Sequence, residues 1–189
     1  MTKIKFKNLL LEIRELLKSK ATVKAKGSIQ KFVSTEGKIY GVRTPILNSL
    51  ATRFKDGGFE LVESLWQSGS YEEKMLAIKI LGKICKNNPE KSLKLIKKFS
   101  KEIENWAICD TLATQGIRGI AKIKQREILA LSQDLIKSKN LWQRRFALVL
   151  LINFKDDKKL KRKIKEIINL VKNDQKYYVR KAIKWLKIQ

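Results

Sequence analysis

The chain contains no histidine, and this absence excludes several common active sites. Without imidazole there is no Ser-His-Asp triad, no Cys-His pair and no histidine-ligated zinc. Cys85 and Cys109 are too few for a disulfide framework or for a metal site made of cysteines alone, and they fit a reducing, intracellular setting. Glycine-rich loops of the GxGxxG or GxxxxGK[ST] kind are also missing. We therefore expect no metal and no cofactor.

Long apolar segments are missing as well. The longest strong run, FALVLLINF at 146–154, is far too short to cross a bilayer. The N-terminal segment returns to charged residues too soon for a signal peptide, and it is typical of an amphipathic helix. We therefore expect a cytoplasmic protein that does not enter a membrane.

Positive charge is what the chain has in excess. Lysine and arginine number 43 against 18 acidic residues, which gives a formal net charge of +25. Charge of this size indicates partners rather than fold, and the usual partners are nucleic acid or an anionic membrane surface. The 43% of hydrophobic residues exclude wholesale disorder. A length of 189 residues predicts one domain, 1–189, with a real core.

The apolar pattern predicts helices throughout. Apolar residues recur at spacings of three and four, and no alternation lasts long enough for a strand. The predicted helices cover 3–19, 28–36, 45–55, 58–67, 71–87, 89–99, 102–116, 120–138, 140–154, 157–173 and 175–187.

Four of these helices carry an alanine followed by isoleucine or leucine, at spacings that suit stacked helix pairs. These dipeptides begin at Ala77, Ala107, Ala147 and Ala182. Repeats of roughly 40 residues favour an all-α fold, a HEAT-like or armadillo-type α-solenoid of antiparallel helix pairs with a concave basic surface. The alternative is an irregular helical bundle.

The stretch ENWAICD places Trp106 and Asp110 four residues apart, on one helical face with apolar neighbours. A carboxylate on such a face is partly buried and needs a partner. Either the pair is structural, with Trp106 in the core and Asp110 bound to an arginine, or it carries chemistry.

Basic and aromatic residues in two later helices extend this candidate site. Arg145 falls on an apolar face, where it requires a carboxylate such as Asp110 or a DNA phosphate. Arg144 points away from this apolar face, and its side chain either contacts DNA or is simply solvated. Tyr178, Lys181 and Trp185 share a flank of the last helix that suits a nucleic-acid backbone, although a tryptophan at a helix end is also common packing.

Together these features resemble the AlkD-type DNA alkylation repair proteins, which are HEAT-like repeat DNA glycosylases. The matching stretches are YGVRTPILNSL at 40–50, NWAICD at 105–110, NLWQRRFAL at 140–148 and YYVRKAIKW at 177–185. The chain ends four residues after Trp185, whereas members of this family usually continue into further helices, so we expect a shortened C-terminus.

The resemblance implies a monofunctional enzyme that excises N3- and N7-alkylated purines, such as 3-methyladenine and 7-methylguanine, from double-stranded DNA. It implies that Asp110 is the catalytic carboxylate, that Trp106 and Trp185 flank the sugar of the lesion, and that Arg145 contacts the backbone nearby. Phe32 matches a position where the family can carry tyrosine. A monomer associated with the nucleoid is expected.

Two other functions stay open. A non-catalytic helical scaffold that recognises distorted or branched DNA explains the charge without chemistry. A protein-interaction solenoid requires an acidic partner, and tight duplex binding that weakens steeply with salt would count against it.

Overall fold

The structure is a computed structural model that describes the backbone of residues 3–186 and the side chains of residues 6–186. Within these residues it contains eleven α-helices and no strand. They are α1 Lys3–Ser19, α2 Val23–Phe32, α3 Thr44–Arg53, α4 Gly58–Gln67, α5 Tyr71–Ile84, α6 Pro89–Ser100, α7 Trp106–Thr111, α8 Gln125–Leu135, α9 Leu141–Leu151, α10 Lys161–Asn169 and α11 Tyr177–Trp185. The predicted all-α fold is confirmed. No helix in the described part of the chain is long and apolar enough to cross a membrane.

Four predicted helix starts are wrong by four or five residues, those of α2, α7, α8 and α10, and local hydrogen bonds explain two of them. Helix α10 covers Lys161–Asn169 rather than 157–173, and α2 ends at Phe32 rather than at 36. Helix α2 starts at Val23 rather than at 28, because the hydroxyl of Thr22 caps it by accepting a hydrogen bond from the amide of Ala25 at 3.2 Å. Helix α7 starts at Trp106 rather than at 102, because the side chain of Asn105 accepts from the amide of Ile108 at 3.0 Å. Helix α8 starts at Gln125 rather than at 120.

The chain divides into two compact units, residues 1–87 and 88–189. In the first unit the central helix is α5, which packs against α3 and α4 and is buried over most of its length. Its apolar side chains at 76–78 are fully buried. The single domain predicted for 1–189 stays a prediction.

In the second unit the central helix is α9, which packs against α7, α8 and α11. Every residue from Arg145 to Leu151 is buried, as expected for an inner helix. Ala107, Ala147 and Ala182 are buried on three of these helices, which lets the backbones approach closely. Pairs of consecutive packed helices, such as α4 with α5 and α8 with α9, are the elements of an α-solenoid.

Candidate functional site

The second unit contains a buried ion pair between Asp110 of α7 and Arg145 of α9. Nε of Arg145 donates to Oδ1 of Asp110 at 2.8 Å, and Nη2 donates to Oδ2 at 2.7 Å. The side chain of Asp110 is 17% exposed, and that of Arg145 is 7% exposed. Of the two partners expected for Arg145, the structure therefore supplies the carboxylate. A paired arrangement of this kind fixes the carboxylate in both distance and orientation.

The environment of Asp110 acts on its acidity in two directions. Burial raises the pKa of the carboxyl above its ordinary value, because the charged form loses hydration. The hydrogen bonds and the charge of Arg145 lower the pKa, but they do not cancel the effect of burial. The site therefore contains a carboxylate that is fixed in place and more basic than an exposed aspartate.

The guanidinium of Arg145 lies beside Tyr178, whose ring contacts two further aromatic rings. Its Nη1 donates to the main-chain oxygen of Tyr178 at 2.5 Å, and the guanidinium carbon lies 5.9 Å from the centre of the Tyr178 ring. The Tyr178 ring centre lies 4.8 Å from that of Trp142 and 5.2 Å from that of Tyr177. Arg145 thus connects the carboxylate on α7 to the start of α11.

Sequence reasoning missed Trp142 and Tyr177, although both carried a signal. Trp142 precedes Arg145 by three residues, so the two side chains share a face of α9. Tyr177 is the direct neighbour of Tyr178, and Lys181, one turn later, places its ammonium 5.3 Å from the Tyr177 ring centre. The aromatic cluster of Trp142, Tyr177 and Tyr178 needs tertiary contacts between α9 and α11, which no local pattern supplies.

Helix α7 is short and ends in a widened turn beside Asp110. Trp106 is its first residue and is partly buried. After Thr111 the backbone forms a π-helical segment from Leu112 to Gly116, and the side chain of Asn153 donates to the main-chain oxygen of Ala113 at 2.8 Å. Such segments occur frequently at functional sites.

Arg144 is held by protein groups and is not solvated, so the expected alternative of a free side chain is wrong. Its Nε donates to Oδ2 of Asp174 at 2.6 Å, and its Nη1 donates to the main-chain oxygens of Ser138 and Lys139 at 2.8 and 2.9 Å. Burial alone would raise the pKa of Asp174, but hydrogen bonds from Arg144 and from the amide of Lys176 lower it overall. Arg144 thereby fixes the segment that leads into α11.

The remaining candidate residues are exposed. Lys181 is exposed on α11, and Trp185, its last residue, is 48% exposed. Phe32 belongs to the first unit, where it ends α2 with 61% exposure, and the ammonium of Lys31 lies 5.5 Å from its ring centre. Among the described residues no group of three or more histidine, cysteine, aspartate or glutamate side chains is arranged to hold a metal ion.

Comparison with known proteins then identifies the family. The family model described as DNA alkylation repair enzyme matches residues 13–187. The chain belongs to this family. The match includes Asp110, Arg145 and the whole of α11, and it confirms the family suggested by the four sequence stretches.

Solved structures of low sequence identity share the fold. A predicted DNA alkylation repair enzyme from Enterococcus faecalis is 16% identical, with a TM-score of 0.71 over 88% of this chain and 81% of that one. AlkD2 from Streptococcus mutans is 23% identical, with a TM-score of 0.55 over 75% and 71% of the two chains. The protein smu.31 from Streptococcus mutans UA159 is 24% identical, with a TM-score of 0.55 over 74% and 72%. A search of curated proteins found no match.

Proposed function

We propose that this family member is a monofunctional DNA glycosylase that hydrolyses the N-glycosidic bond of N3- and N7-alkylated purines, such as 3-methyladenine and 7-methylguanine, in duplex DNA. The observation that carries this proposal is the Asp110 carboxylate, which is held by two hydrogen bonds from Arg145 and remains 17% exposed. Membership of the DNA alkylation repair enzyme family supplies the context.

The chemistry needs one well-placed carboxylate. As the bond between the base and the sugar breaks, positive charge develops on the sugar ring, and a fixed anion stabilises it where it forms. An ionised carboxylate offers about four acceptor positions, of which Arg145 occupies two. The others are free to face the sugar or to orient a water molecule.

The proposed step balances without a metal or a general acid. The purine carries a positive charge because it is alkylated, so it leaves as a neutral base when it takes the electron pair of the glycosidic bond. The oxygen of the oriented water bonds to C1′ of the sugar, and one proton of that water passes by way of Asp110 to solvent. The products are a free alkylated base and an abasic site.

Arg145 acts in this proposal as a positioning residue. Three of its nitrogen atoms are engaged, two with Asp110 and one with the main chain of Tyr178, so its guanidinium fixes the carboxylate against α11. A guanidinium has five N–H groups, so two remain for a phosphate of the DNA backbone near the lesion. Its charge also favours the ionised form of Asp110.

The other candidate residues are assigned to DNA and lesion contacts. Trp106 and Trp185 are proposed to flank the sugar of the lesion, where an indole face favours a neighbouring cation. Tyr178 and Lys181 are proposed to meet the backbone, and Arg144 to act by fixing the segment before α11. Phe32, exposed on the first unit, is proposed as a further lesion contact.

Duplex DNA is the proposed partner because the net charge of +25 favours a polyanion. The proposed chemistry uses no cofactor. The protein is proposed to act as a monomer in the cytoplasm, at the nucleoid where its substrate lies.

A non-catalytic DNA-binding protein is the second candidate, and one observation favours it. Both oxygens of Asp110 accept hydrogen bonds from a buried arginine, which is what a purely structural ion pair would show. Such a protein would recognise distorted or branched DNA by shape and charge, and it would release no base.

The deciding experiment measures release of free 7-methylguanine from a duplex under single-turnover conditions. We expect the wild type to release the base and Asp110→Asn to lose at least a hundredfold in rate while duplex affinity stays within threefold. Asp134→Asn is the matched control, because Asp134 is an exposed aspartate on α8 of the same unit.

Equal release by the wild type and Asp110→Asn would refute the catalytic role of Asp110. No release by the wild type, together with retained duplex binding, would favour the non-catalytic candidate.

A further inference from the structure

The first unit contains a cavity of about 490 Å³ that shares no residue with the Asp110 site. Three segments form it: α2, the stretch from Val42 into the start of α3, and the start of α5. Its size falls in the range of about 300–1,000 Å³ that is usual for small-molecule sites. Its lining combines cations, hydroxyl groups and apolar side chains.

The cationic and hydroxyl groups of this cavity come from two neighbouring segments. Lys24 and Ser28 lie one turn apart on α2, and Arg43 and Thr44 lie at the start of α3. Within the described part of the chain, neither Lys24 nor Arg43 has a carboxylate within ion-pair distance. Two cations without an acidic partner favour an anionic ligand.

Tyr71, the first residue of α5, lines the same cavity. It is only 7% exposed, and its hydroxyl makes no hydrogen bond with any described residue. The hydroxyl keeps some contact with solvent, so it can donate to water or to a ligand in the cavity. Burial and the nearby Glu72 raise the pKa of Tyr71 to about 12, so at neutral pH the phenol remains protonated and can donate to an anion.

The start of α3 adds a further electrostatic contribution. This helix has ten residues, Arg43 occupies the N-cap position without a side-chain capping bond, and Pro45 follows in the first turn. The N-terminus of a helix carries a partial positive charge and free N–H groups, which favour an anion.

A buried carboxylate holds this part of the cavity in place. Glu72 is fully buried and accepts hydrogen bonds from the amides of Tyr40, Gly41 and Val42 at 2.9, 2.7 and 3.1 Å. The three N–H groups offset its negative charge, so it opposes an anion in the cavity less than a free carboxylate would. The stretch that delivers Val42 and Arg43 is thereby fixed before any ligand binds.

Gly41 brings the same stretch against α2. Its main-chain oxygen accepts from the amide of Thr22 at 2.9 Å, and its φ is +98°. A side chain at this position would place a Cβ 2.7 Å from the oxygen of Thr22, so only glycine allows this approach. The YGVR motif therefore builds one wall of the cavity.

The rest of the lining is apolar. Ile29 of α2, Val42 and Met75 of α5 contribute an apolar surface that suits a flat or weakly polar group. A simple inorganic anion would leave this surface unused. A ligand that has an anionic end and a larger, less polar body uses both parts.

We infer that this cavity binds one nucleotide, with its phosphate toward Lys24, Arg43 and the start of α3. The sugar and base then lie against Ile29, Val42 and Met75. The nucleotide is either free in solution or part of a DNA strand, since both present the same phosphate ester. This inference does not depend on base release at Asp110.

The test is calorimetric titration of the full chain with 2′-deoxyadenosine 5′-monophosphate, compared with 2′-deoxyadenosine and inorganic phosphate. We expect the nucleotide to bind more tightly than either part alone. Tyr71→Phe and Arg43→Gln should each weaken it about tenfold, because each removes a hydrogen bond to a charged group. Arg118→Gln, which removes an exposed arginine from the second unit, should leave the affinity unchanged.

Two further measurements identify the source and guard against misfolding. If the nucleotide belongs to DNA, Tyr71→Phe weakens binding of an undamaged duplex, and the free nucleotide competes with that duplex. If the nucleotide is a free ligand, the Tyr71→Phe variant binds the duplex as tightly as the wild type does, and only its affinity for the nucleotide falls. Arg43 is exposed, so its variant keeps the fold, and equal unfolding midpoints would verify this.

The inference is overturned if neither nucleotide nor duplex binding distinguishes Tyr71→Phe and Arg43→Gln from Arg118→Gln. Base release by the same variants tells the two proposals apart. Loss of nucleotide binding with normal base release leaves the Asp110 proposal intact, and the reverse result leaves the cavity proposal intact.

Discussion

Asp110 is a residue on which burial and pairing act in opposition. Burial favours the protonated carboxyl, whereas Arg145 favours the ionised form. A catalytic carboxylate of the proposed kind must be ionised to stabilise positive charge on the sugar. Its activity should therefore follow its own titration and respond to its partner.

We predict that base release falls on acidification with a midpoint above 3.8, the ordinary pKa of aspartate. The sign follows from the raised pKa, because the active carboxylate is present above the folded-state pKa and lost as pH falls through it. Arg145→Gln should move this midpoint to higher pH, since the guanidinium lowers the pKa of Asp110.

The measurement is the single-turnover release rate across pH, corrected for spontaneous depurination of the same duplex. An acid limb that stays in place in Arg145→Gln would contradict the assignment.

The same pair should show strong coupling in stability. Arg145 and Asp110 are 7% and 17% exposed, so removing one partner leaves a buried charge unpaired, which costs about 3–5 kcal/mol. We predict losses of this size in the free energy of unfolding for Asp110→Leu and for Arg145→Met. The double variant should lose much less than the sum of the two.

Chemical denaturation of all four proteins at neutral pH measures this cycle. Additive losses would show that the pair is not coupled. A Thr52→Ala variant, at an exposed position of α3, serves as a reference for a surface change.

The sequence predicted the need for this pair but not its geometry. The helical wheel places Arg145 on an apolar face, and an arginine there requires an anion. The identity of that anion depends on the packing of the neighbouring helices. The third hydrogen bond of Arg145, to the main chain of Tyr178, depends on how α11 packs against α9. Periodicity within one helix carries no information on that packing.

Among the elements, α5 depends on a polar contact at its first turn. Glu72 is fully buried, and its carboxylate replaces the hydration of three backbone amides in 40–42. This side chain makes three of the hydrogen bonds that hold a stretch without regular secondary structure.

We predict that Glu72→Gln lowers the free energy of unfolding by about 2–3 kcal/mol. The amide oxygen can replace one carboxylate oxygen, but the NH₂ group then faces a backbone N–H, and the charge-assisted hydrogen bonds are lost. Glu60→Gln, at an exposed position of α4, should change the free energy of unfolding by less than about 0.5 kcal/mol. Urea denaturation measures both, and equal effects would refute the anchoring role.

Some helix boundaries were predictable because the sequence carries a strong local signal. Pro89 after Asn88 marks the start of α6, and the side chain of Asn88 caps it by accepting from the amide of Lys91 at 2.9 Å. Thr22 performs the same task for α2, but the five residues after it give no clear apolar period. The π-helical segment after α7 is stabilised by Asn153, which lies 40 residues from Ala113.

For the whole molecule, the dominant property is charge. A net charge of +25 in 189 residues favours binding to polyanions of any sequence, and the Asp110 site is proposed to add local selectivity. Composition was sufficient to predict this, because net charge needs no fold. The all-α class was also predictable from periodicity, whereas the division into two compact units was not, since no linker composition marks residue 87.

We predict that binding of an undamaged duplex weakens steeply with salt. A protein that makes about six phosphate contacts loses on the order of a thousandfold in affinity between 50 and 200 mM salt. Lys181→Gln should reduce the slope of log K against log salt by about 1, whereas Asp110→Asn should leave the slope unchanged. Fluorescence anisotropy across salt concentrations measures this, and a shallow slope would count against DNA as the partner.

The burial of both cysteines affects how the protein reacts with electrophiles. Cys85 and Cys109 are fully buried, and burial raises the pKa of the Cys109 thiol well above its ordinary value. Thiolates are the side chains that electrophiles attack most readily, and this chain has no histidine to attack instead. The folded protein therefore exposes neither thiol, so the alkylating agents that would create its proposed substrate find no accessible cysteine to modify.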